Sequence, residues 1–254
     1  MAVSTHTPRV SAAMVLAAGL GTRMRPLTDL TPKPLVRVAG RPLIDHVLDR
    51  IDEAGIQHAC VNVHHLADQI EQHLSGRLSP RIVISDERGL LLDTGGGVRR
   101  ALRHLPKDGF LVHNSDSIWK ETNAASNIAN MIQHWDPARM DGLLLLAVKE
   151  TSLGYDGTGD FFLDSDGRLQ RRVKDGTAPY VFTGVSILSA NAFEGIEDEV
   201  FSLNRVFDKA IATGRLFGVV LDGVWMHVGS EQALIEAEGR LTDLESRRPY
   251  ASTD

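Results

Sequence analysis

A doubly wound, mostly parallel α/β sheet is predicted for this chain on two observations. Short apolar runs alternate with stretches of helical periodicity, joined by short loops, as in successive βαβ units. The segments of unusual composition fall just after those runs: Gly19 to Arg23 after the first, Asp86 to Gly97 after the third, Asp116 after the fourth. Open parallel sheets hold ligands outside the carboxyl ends of their strands, so both observations put a site at the same edge.

The first strand is the apolar run ending in Val15-Leu16. Gly19 and Gly21 follow; without a Cβ they let the chain turn sharply and present N–H groups to a ligand. Pro42 stands where a helix tolerates proline, at its start. Leu43, Ile44, Val47, Leu48, Ile51 and Ala54 recur at helical spacing, and Gly55 ends the run. Residues 58–63 make the second strand, 66–74 a helix with Leu66, Ile70 and Leu74 on one face, and 81–85 the third strand. Thr94-Gly95-Gly96-Gly97 opens a helix to about residue 105, and 110–113 is the fourth strand, ending in Asn114-Ser115-Asp116. A helix over 123–135 and a buried strand over 142–148 come next.

From Thr151 the texture changes. Gly154, Gly157, Gly159 and Gly167 punctuate short strands at 160–163 and 168–171, which predict a small antiparallel hairpin lying over the sheet. Residues 181–188 return to a buried strand containing Thr183-Gly184. A helix over 203–212, a strand over 216–221 and a final helix over 230–244 complete the pattern.

The chain has 254 residues, enough for one large α/β domain, expected over 10–245 with frayed polar tails at 1–9 and 246–254. A net charge of −6 argues against non-specific binding to nucleic acid or anionic membrane, so positive charge must act locally. The single cysteine, Cys60, lies within Ala59-Cys60-Val61 and reads as core. No signal-peptide h-region precedes residue 9, and the longest apolar run, 143–148, is too short to span a bilayer, which predicts a cytoplasmic protein. There is no internal repeat and no hexapeptide pattern of an acyltransferase β-helix.

The opening loop carries the chemistry. Arg23 and Lys33 add fixed positive charge to the glycine turn, which together suit a polyphosphate. A lone G-x-G also fits a plain turn. A dinucleotide fingerprint would need glycine where Met24 stands, and no Walker Gly-Lys-Ser/Thr follows. The whole content decides: Leu16-Ala17-Ala18-Gly19-Leu20-Gly21-Thr22-Arg23-Met24-Arg25-Pro26-Leu27-Thr28, closed by Pro32-Lys33-Pro34-Leu35, resembles the signature of the sugar-1-phosphate nucleotidyltransferases.

That resemblance extends from Met14 to about Leu241. Thr94-Gly95-Gly96-Gly97, Gly157-Thr158-Gly159-Asp160-Phe161 and Phe182-Thr183-Gly184-Val185-Ser186 resemble the subgroup making UDP-N-acetylmuramate in cell-wall recycling. Mannose-1-phosphate guanylyltransferases look similar over the N-terminal half.

The resemblance implies a Rossmann-like fold and in-line attack of a sugar phosphate oxygen on the α-phosphorus of a nucleoside triphosphate, releasing pyrophosphate. By the same likeness Arg23 and Lys33 are the two triphosphate-binding cations. Leu16, Ala17, Ala18, Gly19, Gly21 and Thr22 hold the nucleotide, with Thr94, Gly95 and Gly96 beside the base, where free N–H groups at a helix start would help. Asn114, Gly159, Asp160, Thr183 and Gly184 are the sugar-side candidates, against a bland reading as hairpin and packing residues. Asp116 is implied as catalytic magnesium ligand, against a turn-capping aspartate; manganese is the alternative ion. Arg25 falls at a variable position and reads as a solvated arginine.

Two departures stand out. The family's Glu-Lys-Pro, whose lysine contacts the sugar phosphate, is absent; Arg171, Arg172 or Lys174 are its candidate substitutes. Where the family has W-x-D-x-G, with the aspartate as second metal ligand, this chain reads Trp225-Met226-His227-Val228-Gly229, which puts His227 at the metal position. The expected activity is uridylyl transfer from UTP to N-acetylmuramate 1-phosphate. GTP with mannose 1-phosphate is the alternative, and a non-catalytic nucleotide-sugar-binding protein the alternative of another class.

Overall fold

The computed structural model describes residues 10–123 and 125–246, and side chains as far as 241, so the expected tails lie outside it apart from Ser246. The chain runs β1 (Ala12–Leu16), a one-turn helix α1 (Leu27–Leu30), the paired β2 (Arg37–Val38) and β3 (Arg41–Pro42), then α2 (Leu43–Glu53). β4 (His58–Val63), α3 (Ala67–Leu74), β5 (Arg81–Asp86), α4 (Asp93–Ala101) and β6 (Phe110–Asn114) continue the alternation. β7 (Ser117–Lys120), α5 (Asn127–His134), β8 (Gly142–Val148), β9 (Phe161–Leu163), β10 (Leu169–Arg171) and β11 (Tyr180–Leu188) follow. The chain ends with α6 (Asn204–Ala212), β12 (Leu216–Val220), β13 (Val224–His227) and α7 (Glu231–Ser246).

One nine-stranded sheet organises the molecule. Its centre, β5-β4-β1-β6, is parallel; β11 then pairs antiparallel with β6 and β8, and β12 runs parallel to β8. The two-residue strand period explains how helices cover both faces. Ala13 and Val15 of β1 point into a core with Val47, Leu48 and Ile51 of α2, Ile70 of α3 and Met131 of α5. Ala12 and Met14 point the other way, to Val98 of α4 and Phe207 of α6. Each such large apolar side chain, once buried, contributes about 1.5–3 kcal/mol. No helix among the described residues is long and apolar enough to cross a membrane.

Several expectations are corrected. Pro42 precedes α2 instead of opening it: its extended backbone pairs with Arg37, and the helix begins at Leu43. The same helix ends as expected, with Gly55 at φ 80 and the bonds Gly55 N–H to Asp52 O and Ile56 N–H to Ile51 O of a Schellman stop. α5 starts at Asn127, capped by Ser126, because Asn123 is held outside the helix by Asp222. The hairpin β9–β10 continues the sheet beyond β11 at its edge and does not lie over it. The pair β7–β13 was not predicted at all; it is a separate two-stranded sheet whose ends carry Ser117 and His227.

His113 on β6 makes stability depend on pH. It is wholly buried, stacked on Trp119 at 5.4 Å; its Nδ1 donates to Asn114 O (2.8 Å), and Nε2 has no hydrogen-bond partner among the described residues. Burial, helped by the charge of Arg50, pushes its pKa down from 6.5 to about 4, although the Asn114 carbonyl and the Asp116 charge oppose this. Below pH 6.5 the unfolded chain takes up a proton that the folded protein refuses until about pH 4, so stability falls across that window. Urea unfolding should show a loss of about 2 kcal/mol from this group between pH 7.5 and pH 5. His113→Phe, which keeps the ring stack, should lack that component; an identical pH slope in the variant would refute the assignment.

Candidate active site

The signature loop is tied down at its start. Leu16, at the end of β1, registers with Asn62 of β4 and Asn114 of β6. Ala17 N–H donates to Asn62 Oδ1 (2.7 Å), and Asn62 Nδ2 donates to Glu87 Oε1 (2.8 Å). Glu87 Oε2 in turn accepts Leu92 N–H (3.2 Å). Glu87 is fully buried and Asn62 nearly so, and a buried carboxylate persists only when its lone pairs are satisfied. This pair fastens the first loop to the segment that opens α4. Gly97 makes room for it: a Cβ there would stand 2.8 Å from Asn62 Nδ2 and 2.9 Å from Glu87 Oε1.

The turn itself depends on Gly21, at φ 65, whose carbonyl accepts from Met24 N–H (2.9 Å) and Thr28 Oγ1 (2.8 Å). Gly19 is different. Apart from its chain neighbours, no atom of the described residues lies within 4 Å of where its Cβ would be, and it faces open cleft. Buried Met24 anchors the loop beneath, against Val36, Leu43 and Met226.

A cleft of about 270 Å³ lies over this loop, lined by Leu16, Ala17, Gly19, Gly21, Thr22, Arg23 and Lys33, with Thr94, Asn114, Ser115, Asp116 and Gly229 opposite. A second, more apolar cleft of about 280 Å³ adjoins it through Leu16, Gly19 and Thr94, and adds Ala18, Asn62, Leu91, Asp93 and Val200. Arg23 is exposed at the first cleft and makes no ion pair among the described residues. Arg25 points away, exposed and paired with Asp29 at 3.1 Å, as its reading predicted.

Lys33 and Asp116 form an ion pair across the first cleft, and His227 Nε2 stands 3.4 Å from the same Asp116 Oδ2. Burial alone would raise the Asp116 pKa; the Lys33 charge and the hydrogen bond and charge of His227 outweigh it and hold the carboxylate ionised, far below its usual range. The missed strand pair supplies this geometry. β13 pairs His227 with Ser117, His227 N–H donates to Leu153 O (2.9 Å), and its ring stacks on Trp225 with a 4° tilt. Gly229 is small because a Cβ would press within 2.7 Å of the imidazole. Trp225 is fixed in turn by its Nε1–H bond to Ser117 Oγ (2.8 Å).

Among the described residues no three His, Cys, Asp or Glu side chains cluster to hold a metal. Asp116 and His227 provide two donors at a spacing near the roughly 3 Å edge of a magnesium octahedron. Magnesium commonly takes so few protein ligands and completes its shell with water and phosphate oxygens, so the pair fits a divalent ion bound together with a nucleotide.

The other candidates separate into those at the clefts and those elsewhere. Thr94 lines both clefts, and its Oγ1 accepts Leu203 N–H (2.9 Å). Gly95 and Gly96 are buried and line neither; both N–H groups are donated to Phe201 O, at 2.8 and 3.0 Å. The expectation of free N–H groups there is corrected: a Cβ on Gly95 would meet the Phe201 ring at 2.4 Å, and on Gly96 the Glu199 carbonyl at 2.3 Å. These glycines let α4 pack on the 199–201 segment.

Of the sugar-side set, only Asn114 lines the first cleft. Gly159 (φ 82) lies against the Ala178 backbone, Asp160 Oδ2 accepts Phe182 N–H (2.9 Å), and the buried Thr183 Oγ1 donates to Leu145 O (2.9 Å). Gly184 (φ 84) allows β11 to bulge past Asn114, whose side chain a Cβ would meet at 2.6 Å. Gly184 therefore packs directly against Asn114, while Asp160 and Thr183 tie β11 to its neighbours and Gly159 packs on Ala178. Arg171 is drawn to Asp208 (2.7 Å) and Asn204, while Arg172 binds the Gly159 and Gly176 carbonyls; Lys174 is exposed and makes no ion pair among the described residues. Asn62, Glu87 and Asp93 were missed. Their signals were weak: a polar residue within an apolar strand, and two acids flanking Leu90-Leu91-Leu92.

An edge of this construction, with cations and a cleared loop at the ends of β1 and β6, is that of an α/β protein built to hold a nucleotide's phosphates. Residues 13–142 match the family model described as the MobA-like NTP transferase domain. The chain is 48% identical to an N-acetylmuramate alpha-1-phosphate uridylyltransferase of Caulobacter vibrioides, over 94% of this chain and 99% of that protein. It is 36% identical to one of Neisseria meningitidis serogroup B, over 89% and 96%. In fold it is similar to HddC from Yersinia pseudotuberculosis complexed with GMP-PN, at TM-score 0.74 and 20% identity, over 91% of this chain and 99% of that one. The chain belongs to the sugar-1-phosphate nucleotidyltransferases.

Proposed function

We propose that the enzyme, with residues 10–245 as one catalytic domain, transfers UMP from UTP to N-acetylmuramate 1-phosphate, forming UDP-N-acetylmuramate and pyrophosphate in the cytoplasm, where nucleoside triphosphates are available. The observation that carries this choice of substrates is the likeness, over 94% of the chain, to an enzyme of that name. The cleft agrees with the chemistry. A sugar phosphate oxygen attacks the α-phosphorus, the bond to the β-phosphate oxygen breaks, and the departing pyrophosphate takes the electron pair. Arg23 and Lys33 bring two anions together and balance the charge growing on the leaving group. Asp116 and His227 hold a divalent ion, magnesium or manganese, which supplies further charge neutralisation at the phosphates. Ala17, Gly19 and Thr22 cradle the triphosphate, the second cleft seats the base, and Asn114 faces the sugar.

A screen of UTP, CTP, GTP and ATP against N-acetylmuramate 1-phosphate and mannose 1-phosphate, reading pyrophosphate release, tests the assignment. UTP with the muramate should give the highest kcat/KM; GTP with mannose 1-phosphate turning over faster would replace it with the guanylyl reading.

Gly19→Ala gives a separate check on the cradle. With no atom of the described residues within 4 Å beyond its chain neighbours, the added methyl group leaves stability within about 0.5 kcal/mol. It intrudes only on a bound triphosphate, so KM for the nucleotide should rise roughly tenfold or more at unchanged melting temperature. An unaltered KM would show that the phosphates lie elsewhere.

A further inference from the structure

We propose that the Asp93 carboxylate and the adjacent Thr94 hydroxyl read the base edge, accepting from an imino N–H and donating to the carbonyl beside it, so that keto bases are taken and amino bases refused. The inference rests on the second cleft being the seat of the base. Its lining leaves few polar side chains for recognition. Leu16, Ala18, Leu91 and Val200 are apolar, and Gly19 has no side chain. Asn62 is only 2% exposed, and its amide is already engaged by Ala17 and Glu87.

Asp93 and Thr94 remain, and their bonds fix what each can offer. Asp93 Oδ1 accepts Thr94 N–H (2.5 Å), which leaves Oδ2 as an acceptor at the cleft. Thr94 Oγ1 accepts Leu203 N–H, which leaves its own proton to donate. Asp93 is also held at φ 59, a conformation that costs a non-glycine residue, and the bond from Leu92 N–H to buried Glu87 holds the segment just before it.

An acceptor beside a donor matches the N3–H and a flanking carbonyl of uracil, or the N1–H and O6 of guanine. Cytosine presents a bare ring nitrogen and an amino group at the corresponding positions, as does adenine; the hydroxyl's second lone pair could take the amino group, but the Asp93 carboxylate meets the ring nitrogen acceptor against acceptor. Asp93 is exposed and Thr94 half-buried, so the discrimination comes when the bound base covers them: a wrong base leaves the carboxylate facing an acceptor.

The test is kcat/KM for UTP, CTP, GTP and ATP in the wild type and in Asp93→Asn. Asparagine keeps the acceptor for Thr94 N–H and tolerates positive φ, but turns an N–H toward the base where the carboxylate had accepted. UTP turnover should fall roughly 10–100-fold, with most of the change in KM, and the UTP-to-CTP ratio should fall by about 100-fold or more at unchanged melting temperature. An unchanged ratio in a folded variant overturns the proposal. So does a wild type that uses CTP or ATP as well as UTP, whatever the variant does. A wild type preferring GTP would defeat the uridylyl assignment alone, and Asp93 would then be judged by the GTP-to-ATP ratio in the same two proteins.

Discussion

Lys33→Ala should lower kcat/KM by about 10³, and Arg23→Ala by about 10², with the loss mainly in kcat for the lysine. The order follows from their surroundings. The Lys33 side chain is only 13% exposed and is fixed on Asp116, so its charge acts in a poorly screened space, and no side-chain ordering is needed when the phosphates arrive. Arg23 is exposed and free of partners among the described residues. Water screens it, and it must be ordered by the ligand that it binds. Removing Lys33 also leaves the half-buried Asp116 with His227 as its one remaining side-chain partner among the described residues. Lys33→Arg restores the charge but not the length or the single contact point, and should recover only part of the loss. The measurement is pyrophosphate release under steady-state conditions, with circular dichroism to confirm folding. Near-normal rates in both alanine variants would make the loop a structural turn and remove its cations from the reaction.

Legibility in the sequence followed the range of the interaction concerned. β4 and β8 were readable because their buried stretches are mostly apolar runs of strand length, and the end of α2 because Gly55 marks a left-handed stop. The signature loop was readable because its turn, cations and closing Pro32-Lys33-Pro34 are local. β7 and β13 were not. Each is four residues long, and they pair with each other across most of the second half of the chain, β13 having besides a single bridge from Met226 to Leu153 among the described residues. The glycines show a different loss. From sequence, a position that excludes a Cβ looks the same whether the neighbour is a phosphate or a phenylalanine. At Gly19 the space belongs to the cleft, but at Gly95 it belongs to Phe201. Asn62 and Glu87 were hidden for the same reason, since what identifies them is mutual satisfaction of buried groups far apart in sequence.

Asp116→Asn should abolish most turnover, by about 10³, and with it the stabilisation of the nucleotide-bound enzyme by divalent ions. The asparagine retains the shape but removes the only carboxylate that lines the first cleft among the described residues, leaving Lys33 and His227 facing each other without an anion. His227→Asp should act in the opposite direction. In the wild type the proposed donor pair is one oxygen and one nitrogen; magnesium prefers hard oxygen ligands, whereas imidazole also suits manganese and cobalt. A second carboxylate some 3.4 Å from the first adds negative charge where the ion would sit. Magnesium should bind roughly tenfold tighter, and the magnesium-to-manganese activity ratio should rise by a similar factor. Without metal, the same variant sets two carboxylates against each other and should melt lower, recovering on addition of magnesium, a response that needs no turnover to observe. Manganese binding followed by electron paramagnetic resonance provides an independent reading of the site. If His227→Asp leaves both the activity ratio and the metal-dependent melting temperature as in the wild type, the imidazole is not a ligand. Its place beside Asp116 is then a hydrogen bond that orients the carboxylate, and the metal site reduces to Asp116 and the phosphates of the substrate.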